Sequence, residues 1–408
     1  MRLVHDEGAV QGYSSGRTGR ALTCSHVTIT FLLWNGEIGG AERASVALAS
    51  QLRARGTEAN VLFVCGPDRL LPQLTAEGVP HAALGLSRGS RVLVHPRHLA
   101  RAAEDLEADV VVAATVGYLG AALRLGGFRA PIVGVEHGDL LRIRAQRPLR
   151  RGIQWSDRAL GALTHDAEVA VSDFMAELVM RGRHAPLVVT IPHGVVTDTR
   201  PPLFPDSSVL RLGYLGRLFP GKGLDRLLRA MAMLAEGDGP PVSLRVAGDG
   251  PMRWRWQELA QQLGLGDAVT FVGWTDDILG HWAQCHVAVA PNDSFVESFC
   301  MSMLEAMAAG RPTLVTNKGA LPELVLNGIT GRVVPAGNEH ILAAVISEYS
   351  ANPAQIQLHG AEARSRAETT YSLETAALGY ADLADRLDVM AARSPHRRGR
   401  ADRASHGL

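Results

Sequence analysis

The chain has 408 residues, 46% of them apolar, with 43 glycines; that length allows two or three domains, and the composition excludes a disordered or fibrous protein. Its 41 basic and 41 acidic residues cancel, so bulk attraction to nucleic acid is not expected. Cys24, Cys65, Cys285 and Cys300 are scattered, without a C-x-x-C pair or metal-ligand spacing, which suits a reducing compartment and predicts neither zinc nor disulfide.

In chain order, residues 1–22 are rich in Gly, Ser and Arg and lack the apolar centre of a signal peptide. They read as a disordered leader, and the chain is expected to be cytoplasmic. "HVTITFLLW" is the first strand, running into "NGEIGGAE" at 35–42 and a helix through Arg53. "EANVLFV", "ADVVVAA", "APIVGVEHG", "AEVAVS" and "PLVVTIPHG" follow as short β-branched runs separated by helical patterns. This alternation predicts a parallel sheet with crossover helices over 23–196. The apolar run from Val110 to Leu123 is too short to span a membrane and is broken by Gly117 and Gly120.

"TDTRPPLFPDSS" marks a linker, placed at 197–207, after which the same grammar restarts. "LRLGYLG", "VSLRVAG", "AVTFVG", "HVAVAP" and "PTLVT" are strands of a second α/β domain over 208–372. A final helix at 373–392 is expected to pack back on the first domain, and the basic tail 393–408 to be disordered. Ligands of open parallel sheets gather at the carboxyl ends of the strands, so two such domains facing each other predict a site in the cleft between them.

Four loops carry candidate chemistry. In "GRLFPGKGLDRLL" a strand runs into Arg217, a Pro220-Gly221 turn, then Lys222 and Gly223 at a helix start. A guanidinium fork, an ammonium and a helix N-terminus suit a diphosphate, against the plain reading of solvated surface charge. Only two lysines occur in the chain, Lys222 and Lys318, and retention of one in this turn favours phosphate. In "NGEIGGAE" the glycines at 36, 39 and 40 do not form the dinucleotide fingerprint; they would let backbone amides face a phosphate or sugar, or they are only structural. "VGVEHGD" puts His137 at a strand end, where a hydrogen bond to a sugar hydroxyl or a proton relay is available. His193 in "IPHG" ranks below it.

The fourth loop is "FVESFCMSMLEAMAAGRP", an apolar helix beginning near Ser298 or Phe299, with Glu297 before it and Glu305 within it. Amides of Phe299, Cys300 and Met301 are candidates for phosphate or sugar oxygens. Carboxylates would repel phosphate, so the two acids are expected to serve something neutral, Glu305 a ribose diol and Glu297 the hydroxyls of a second sugar or positive charge at its reacting carbon. For Glu305 a salt bridge to an arginine is the competing reading.

Together with "GGAE", "EHG", "IPHGV", "RVAGDGP" and "FVGWTDDI", these stretches resemble the retaining glycosyltransferases of the glycosyltransferase-B fold, specifically the "glycosyl transferases group 1" branch. The resemblance covers nearly the whole ordered chain. It implies two facing Rossmann-like domains, with Arg217 and Lys222 neutralising the donor diphosphate and Glu305 holding the ribose. Glu297 would bind the transferred sugar together with the backbone of Phe299, Cys300, Met301 and Ser302. Gly40 would touch phosphate, His137 the sugar, and the 274–277 segment, with Thr275, would line the base. The family often has glycine where this chain has Cys300.

The implied reaction moves a sugar from a nucleotide-diphosphate sugar to a glycan or lipid-linked acceptor with retention. No Asp-x-Asp motif is present, and neither metal nor other cofactor is expected. The basic stretch "LLRIRAQRPLRRGIQW" at 140–155 is a candidate contact for anionic lipid at the inner face of the membrane, against the reading of a solvated face. The alternatives are a nucleotide-sugar epimerase of the same architecture and a catalytically silent nucleotide-sugar-binding subunit; a dehydrogenase would need the missing dinucleotide fingerprint.

Overall fold

The computed structural model describes residues 27–35, 40–66, 68–86, 95–114, 117–138, 156, 159–182, 187–197, 203–237 and 241–393. Gly36, Gly39, the basic stretch 140–155, the leader and the tail beyond residue 393 lie outside them. The described chain divides into two compact units, one of residues up to His193 together with those from Leu373 onward, the other Gly194–Ser372.

In the first unit the β-branched runs become β1 (Ile29–Leu33), β2 (Ala59–Phe63), β3 (His81–Ala83), β4 (Val110–Ala113), β5 (Ile132–Glu136), β6 (Ala167–Ala170) and β7 (Val188–Thr190). They form one parallel sheet in the order β3-β2-β1-β4-β5-β6-β7. Every residue of β1, β2 and β4 is buried, because helices cover both faces; β4 is apolar throughout, while β1 and β2 each hold one polar residue, Thr30 and Asn60, whose side chains hydrogen-bond to each other (2.5 Å). On one face lie the helices Gly40–Ala54 and Leu373–Arg393, with Tyr380 edge-on to Phe31 at 5.8 Å. Arg55 is ion-paired with Glu374. On the other face lie Pro96–Asp105 and Gly117–Gly126.

The second unit repeats the plan with β8 (Leu210–Leu215), β9 (Val242–Ala247), β10 (Val269–Gly273), β11 (Val287–Ala290), β12 (Thr313–Thr316) and β13 (Gly331–Val334), all parallel, in the order β10-β9-β8-β11-β12-β13. Helices Leu224–Ala235, Arg253–Gln262 and Glu339–Ala351 cover one face, Met301–Ala308 and Pro353–Thr369 the other. The chain that enters this unit is bound to it by Arg311, which is 1% exposed. Arg311 donates to the carbonyls of Trp282 (2.9 Å) and Leu203 (2.8 Å) and lies 4.3 Å over the Phe204 ring. At the exit, the Val195 amide donates to the Tyr371 carbonyl (2.9 Å), and Val195 bridges Ser372, so the two ends of the unit run side by side.

This strand order matters for the site. β8 is followed in chain order by β9 on one side, while β11 joins it on the other, so the connections after β8 and β11 diverge and leave a crevice at the carboxyl ends of that pair. Arg217 and Lys222 follow β8, and Glu297 follows β11.

Candidate functional site

The loop after β8 is anchored before it reaches its cations. Gly216 and Leu218 donate to the carbonyls of Ala247 (3.1 Å) and Asp249 (2.9 Å), and the Tyr214 hydroxyl donates to the Arg217 carbonyl (3.2 Å). Arg217 itself is exposed. The Gly221 carbonyl then accepts from the amides of Asp293 (2.9 Å) and Phe295 (3.0 Å), which laces this loop to the one after β11. Gly223 completes the joint at φ +73°, the left-handed region; a Cβ there would lie 1.8 Å from the Pro291 carbonyl oxygen. Only glycine meets both conditions.

Lys222 and Glu297, 75 residues apart, are thereby brought into direct ion-pair contact. Their side chains are 16% and 10% exposed. The ammonium also lies 4.2 Å over the Phe295 ring, and Glu297 Oε1 accepts from Asn292 Nδ2 at 3.1 Å. This changes the sequence reading, which assigned cations to phosphate and acids to sugar as separate sets. One member of each set neutralises the other, because neither charge is left alone in so dry a place.

The helix after Glu297 starts at Met301, two or three residues later than expected, with Cys300 as its N-cap at φ −106°, ψ 89°. The reason is upstream: the Glu297 carbonyl accepts from the Ala320 amide (2.9 Å) and so is engaged outside the helix. The free first-turn amides therefore belong to Met301 and its successors, while those of Phe299 and Cys300 lie in the turn that leads to them. The Phe299 ring packs edge-on to Tyr371 at 5.9 Å. Met301, Ser302 and Glu305 are half-buried, whereas Met303, Leu304, Ala306, Met307 and Ala308 are in the core. Glu305 thus sits on the one face of an apolar helix that is not packed away, with the first turn.

Cys300 is buried, its thiol 3.5 Å from the Ser302 hydroxyl. Burial, reinforced by the Glu297 carboxylate, pushes the thiol up to about 11 against the opposing pull of Lys222, so it is a neutral, unreactive side chain. The Tyr214 hydroxyl is likewise raised by burial and then by Glu297 and Cys300. Thr275 lies in the turn after β10, its hydroxyl accepting from the Asp277 amide (3.1 Å); Asp277 caps the next helix by accepting from the Gly280 amide (2.9 Å).

Two candidates belong to the first unit. Gly40 is the first residue of its helix. His137 follows β5 and stacks on His193, ring centroids 5.1 Å apart and nearly parallel, with Nδ1 of His137 3.3 Å from Nε2 of His193. Burial, then His193, pushes His137 down to about 3, and burial pushes His193 down to about 4. Both imidazoles are neutral at neutral pH, one donating to the other, so the pair that sequence treated as rivals is a unit. Sequence reasoning missed Asn292, Phe295 and Tyr214. Their signal was weak: an amide and two aromatics at strand ends read as turn and core.

A parallel sheet of this strand order, with a glycine-hinged, cation-bearing turn at its switch point, defines a Rossmann-like fold. Residues 197–367 match the family described as "Glycosyl transferases group 1", and residues 38–199 match "Glycosyltransferase Family 4". Two glycosyltransferase families thus match this chain in succession, one over its first half and the other over its second. An exopolysaccharide phosphotransferase of Streptomyces coelicolor is 27% identical to it, over 93% of this chain and 43% of that protein. A D-inositol 3-phosphate glycosyltransferase of Streptomyces avermitilis is 32% identical over 62% of this chain and 55% of that one. The chain thus spans about half the length of such curated relatives. Among solved structures, Anabaena HepE in complex with UDP and glucose superposes with a TM-score of 0.72 at 22% identity, covering 88% of this chain and 99% of that one. Sucrose-phosphate synthase from Thermosynechococcus elongatus gives 0.72 at 22%, covering 89% and 100%. At that identity the likeness is one of fold, the two-domain glycosyltransferase-B architecture.

Proposed function

We propose that the chain transfers a sugar from a nucleoside-diphosphate sugar to a glycan or lipid-linked acceptor, with retention of configuration and without a metal. The observation that carries this reading is the meeting of Lys222 and Glu297 beside the first turn of the Met301–Ala308 helix. A cation able to grip phosphate, an acid able to grip hydroxyls and a helix N-terminus are what a sugar joined to a diphosphate requires side by side.

In this reading Arg217 and Lys222 take the diphosphate, Glu305 the ribose diol, and Glu297 with the backbone of Phe299, Cys300, Met301 and Ser302 the transferred sugar. The 274–277 turn, with Thr275, lines the base. In the first unit the candidates are Gly40 and His137, the latter as a neutral hydrogen-bond donor to a hydroxyl. As the glycosidic bond breaks, positive charge grows on the anomeric carbon and negative charge on the leaving diphosphate. Glu297 opposes the first, and Arg217, Lys222 and the helix terminus oppose the second; such preorganised electrostatics are worth about 3–4 kcal/mol per group. The departing phosphate is the base that takes the acceptor's proton. Two cations at the diphosphate supply the charge a metal would otherwise bring.

A thermal-shift screen against UDP, GDP, ADP and their sugars, run with and without EDTA, tests the reading. Stabilisation by one nucleoside diphosphate and its sugar, unaffected by chelator, supports it. NMR of the product's anomeric proton then reads the stereochemistry, and inversion would end the retaining assignment. Among the described residues no helix is long and apolar enough to cross a membrane, and the lipid contact proposed for 140–155 is read by vesicle co-sedimentation at low and high salt.

A further inference from the structure

We propose that Asn292 is a positioning residue for Glu297, holding its carboxylate on the sugar side of the site once Lys222 has turned to the diphosphate. This rests on the nucleotide-sugar reading above. Among the described residues Glu297 has two side-chain partners, and both contact Oε1: Lys222 and Asn292 Nδ2, the latter at 3.1 Å. Oε2 has no hydrogen-bond partner there and is the atom left for a hydroxyl. The backbone of Glu297 is fixed separately, by the Ala320 amide and by Gly319, which stands at φ +60° and so close that a Cβ would lie 2.1 Å from the Glu297 carbonyl oxygen.

The two side-chain partners differ in what a donor does to them. Lys222 is a charged group on a four-carbon stem at the mouth of the phosphate loop, and a diphosphate competes for it directly. When it leaves, the carboxylate faces an arriving anion and would swing away unless something neutral retains it. Asn292 can: it is 1% exposed, its backbone carbonyl accepts from the Thr316 hydroxyl at 2.6 Å, and Pro291 before it is seated against Gly223. Its amide orientation follows from its neighbours. Nδ2 faces the Phe295 carbonyl (3.4 Å) and the Glu297 carboxylate, and both are acceptors only, so the NH2 group must point at them. A neutral donor holds the acid without cancelling the charge it offers to the sugar.

The test uses the full chain with Asn292→Ala and Asn292→Asp, each alone and combined with Glu297→Gln. Calorimetry measures affinity for whichever of UDP, GDP or ADP the wild type binds, and hydrolysis of the matching sugar nucleotides gives kcat and KM. Loss of one hydrogen bond to a charged group predicts that N292A lowers kcat by about tenfold or more, with nucleoside-diphosphate affinity held within about threefold. N292D should be worse than N292A, because it opposes one carboxylate with another. On the Glu297→Gln background N292A should cause little further loss of turnover. A merely structural role would instead lower nucleotide affinity and melting temperature together, or act equally on both backgrounds, and either result overturns the proposal. Unchanged kcat in N292A, with an active wild type, removes the role of Asn292 and leaves the sugar reading standing. A wild type that neither binds nor hydrolyses any of these donors removes both.

Discussion

The contact between Lys222 and Glu297 makes a strong prediction about the unliganded protein. With side chains 16% and 10% exposed, the pair is close to dry, and removing one partner of a buried pair costs about 3–5 kcal/mol. Lys222→Ala strands a carboxylate that only Asn292 still contacts, so it should fall near the lower end of that range, about 3 kcal/mol. Glu297→Gln strands an ammonium that can swing toward solvent on its flexible stem and should cost less, about 1–2 kcal/mol. The double variant leaves no charge to strand. It should therefore be more stable than the sum of the singles by about 2 kcal/mol or more. Urea unfolding followed by tryptophan fluorescence is the suitable assay, because Trp254, Trp256, Trp274 and Trp282 all lie in the second unit and only Trp34 and Trp155 in the first. Additive losses, within about 0.5 kcal/mol, would refute the pairing and with it the shared site.

Other expectations follow from particular residues. Lys222→Ala and Arg217→Ala should each weaken nucleoside-diphosphate binding by about ten- to a hundredfold in calorimetry, the fold being retained by circular dichroism. Glu297→Gln should reduce turnover far more than nucleotide affinity; the reverse pattern would exchange the roles of Glu297 and Glu305. Gly223→Ala forces a left-handed alanine, costing about 1–2 kcal/mol, and drives its methyl into the Pro291 carbonyl; nucleotide binding should be lost before the unit unfolds. His137 and His193 titrate at about 3 and about 4 in the fold, below the ordinary imidazole value of about 6.5. The unfolded chain takes up those protons first. The stability the pair contributes is thus complete above about pH 6.5 and is lost as pH falls through about 4 and then about 3. Comparing urea midpoints of the first unit at pH 7 and pH 5, the variant carrying both His137→Gln and His193→Gln should lose less than the wild type.

How much of this was legible beforehand depended on whether a feature is local in the chain. Buried parallel strands such as β4 are apolar without a break, and the "GRLFPGKG" turn advertises itself by glycine, charge and position after a strand, so the fold and this candidate loop were readable. The start of the Met301 helix was not, because it is set by the Ala320 amide holding Glu297, a contact that no propensity reports. Nor was the sharing of Glu297 by Lys222 and Asn292, or of one hydrogen bond by His137 and His193, 56 residues apart. Sorting acids and cations by the ligand each prefers assumes the ligand is present. In its absence the nearest opposite charge takes that place, and only three-dimensional proximity says which one it is.

The return of Leu373–Arg393 to the first unit has a consequence for how the chain is made. The second unit is one uninterrupted stretch whose ends, at Val195 and Ser372, already lie side by side, so it can close on itself while synthesis is still under way. The first unit, although begun earlier, lacks Tyr380, Leu383 and Leu387 from its apolar interior until the whole second unit has been made. Domains generally mature from the amino end during translation; here the order of these two units is inverted, and the one begun first is sealed after the other. A chain truncated before Leu373 should therefore yield a nucleotide-responsive second unit attached to a first unit whose sheet keeps the Gly40–Ala54 helix but lacks Leu373–Arg393 on one face, and chaperones and proteases would recognise that half-covered face first.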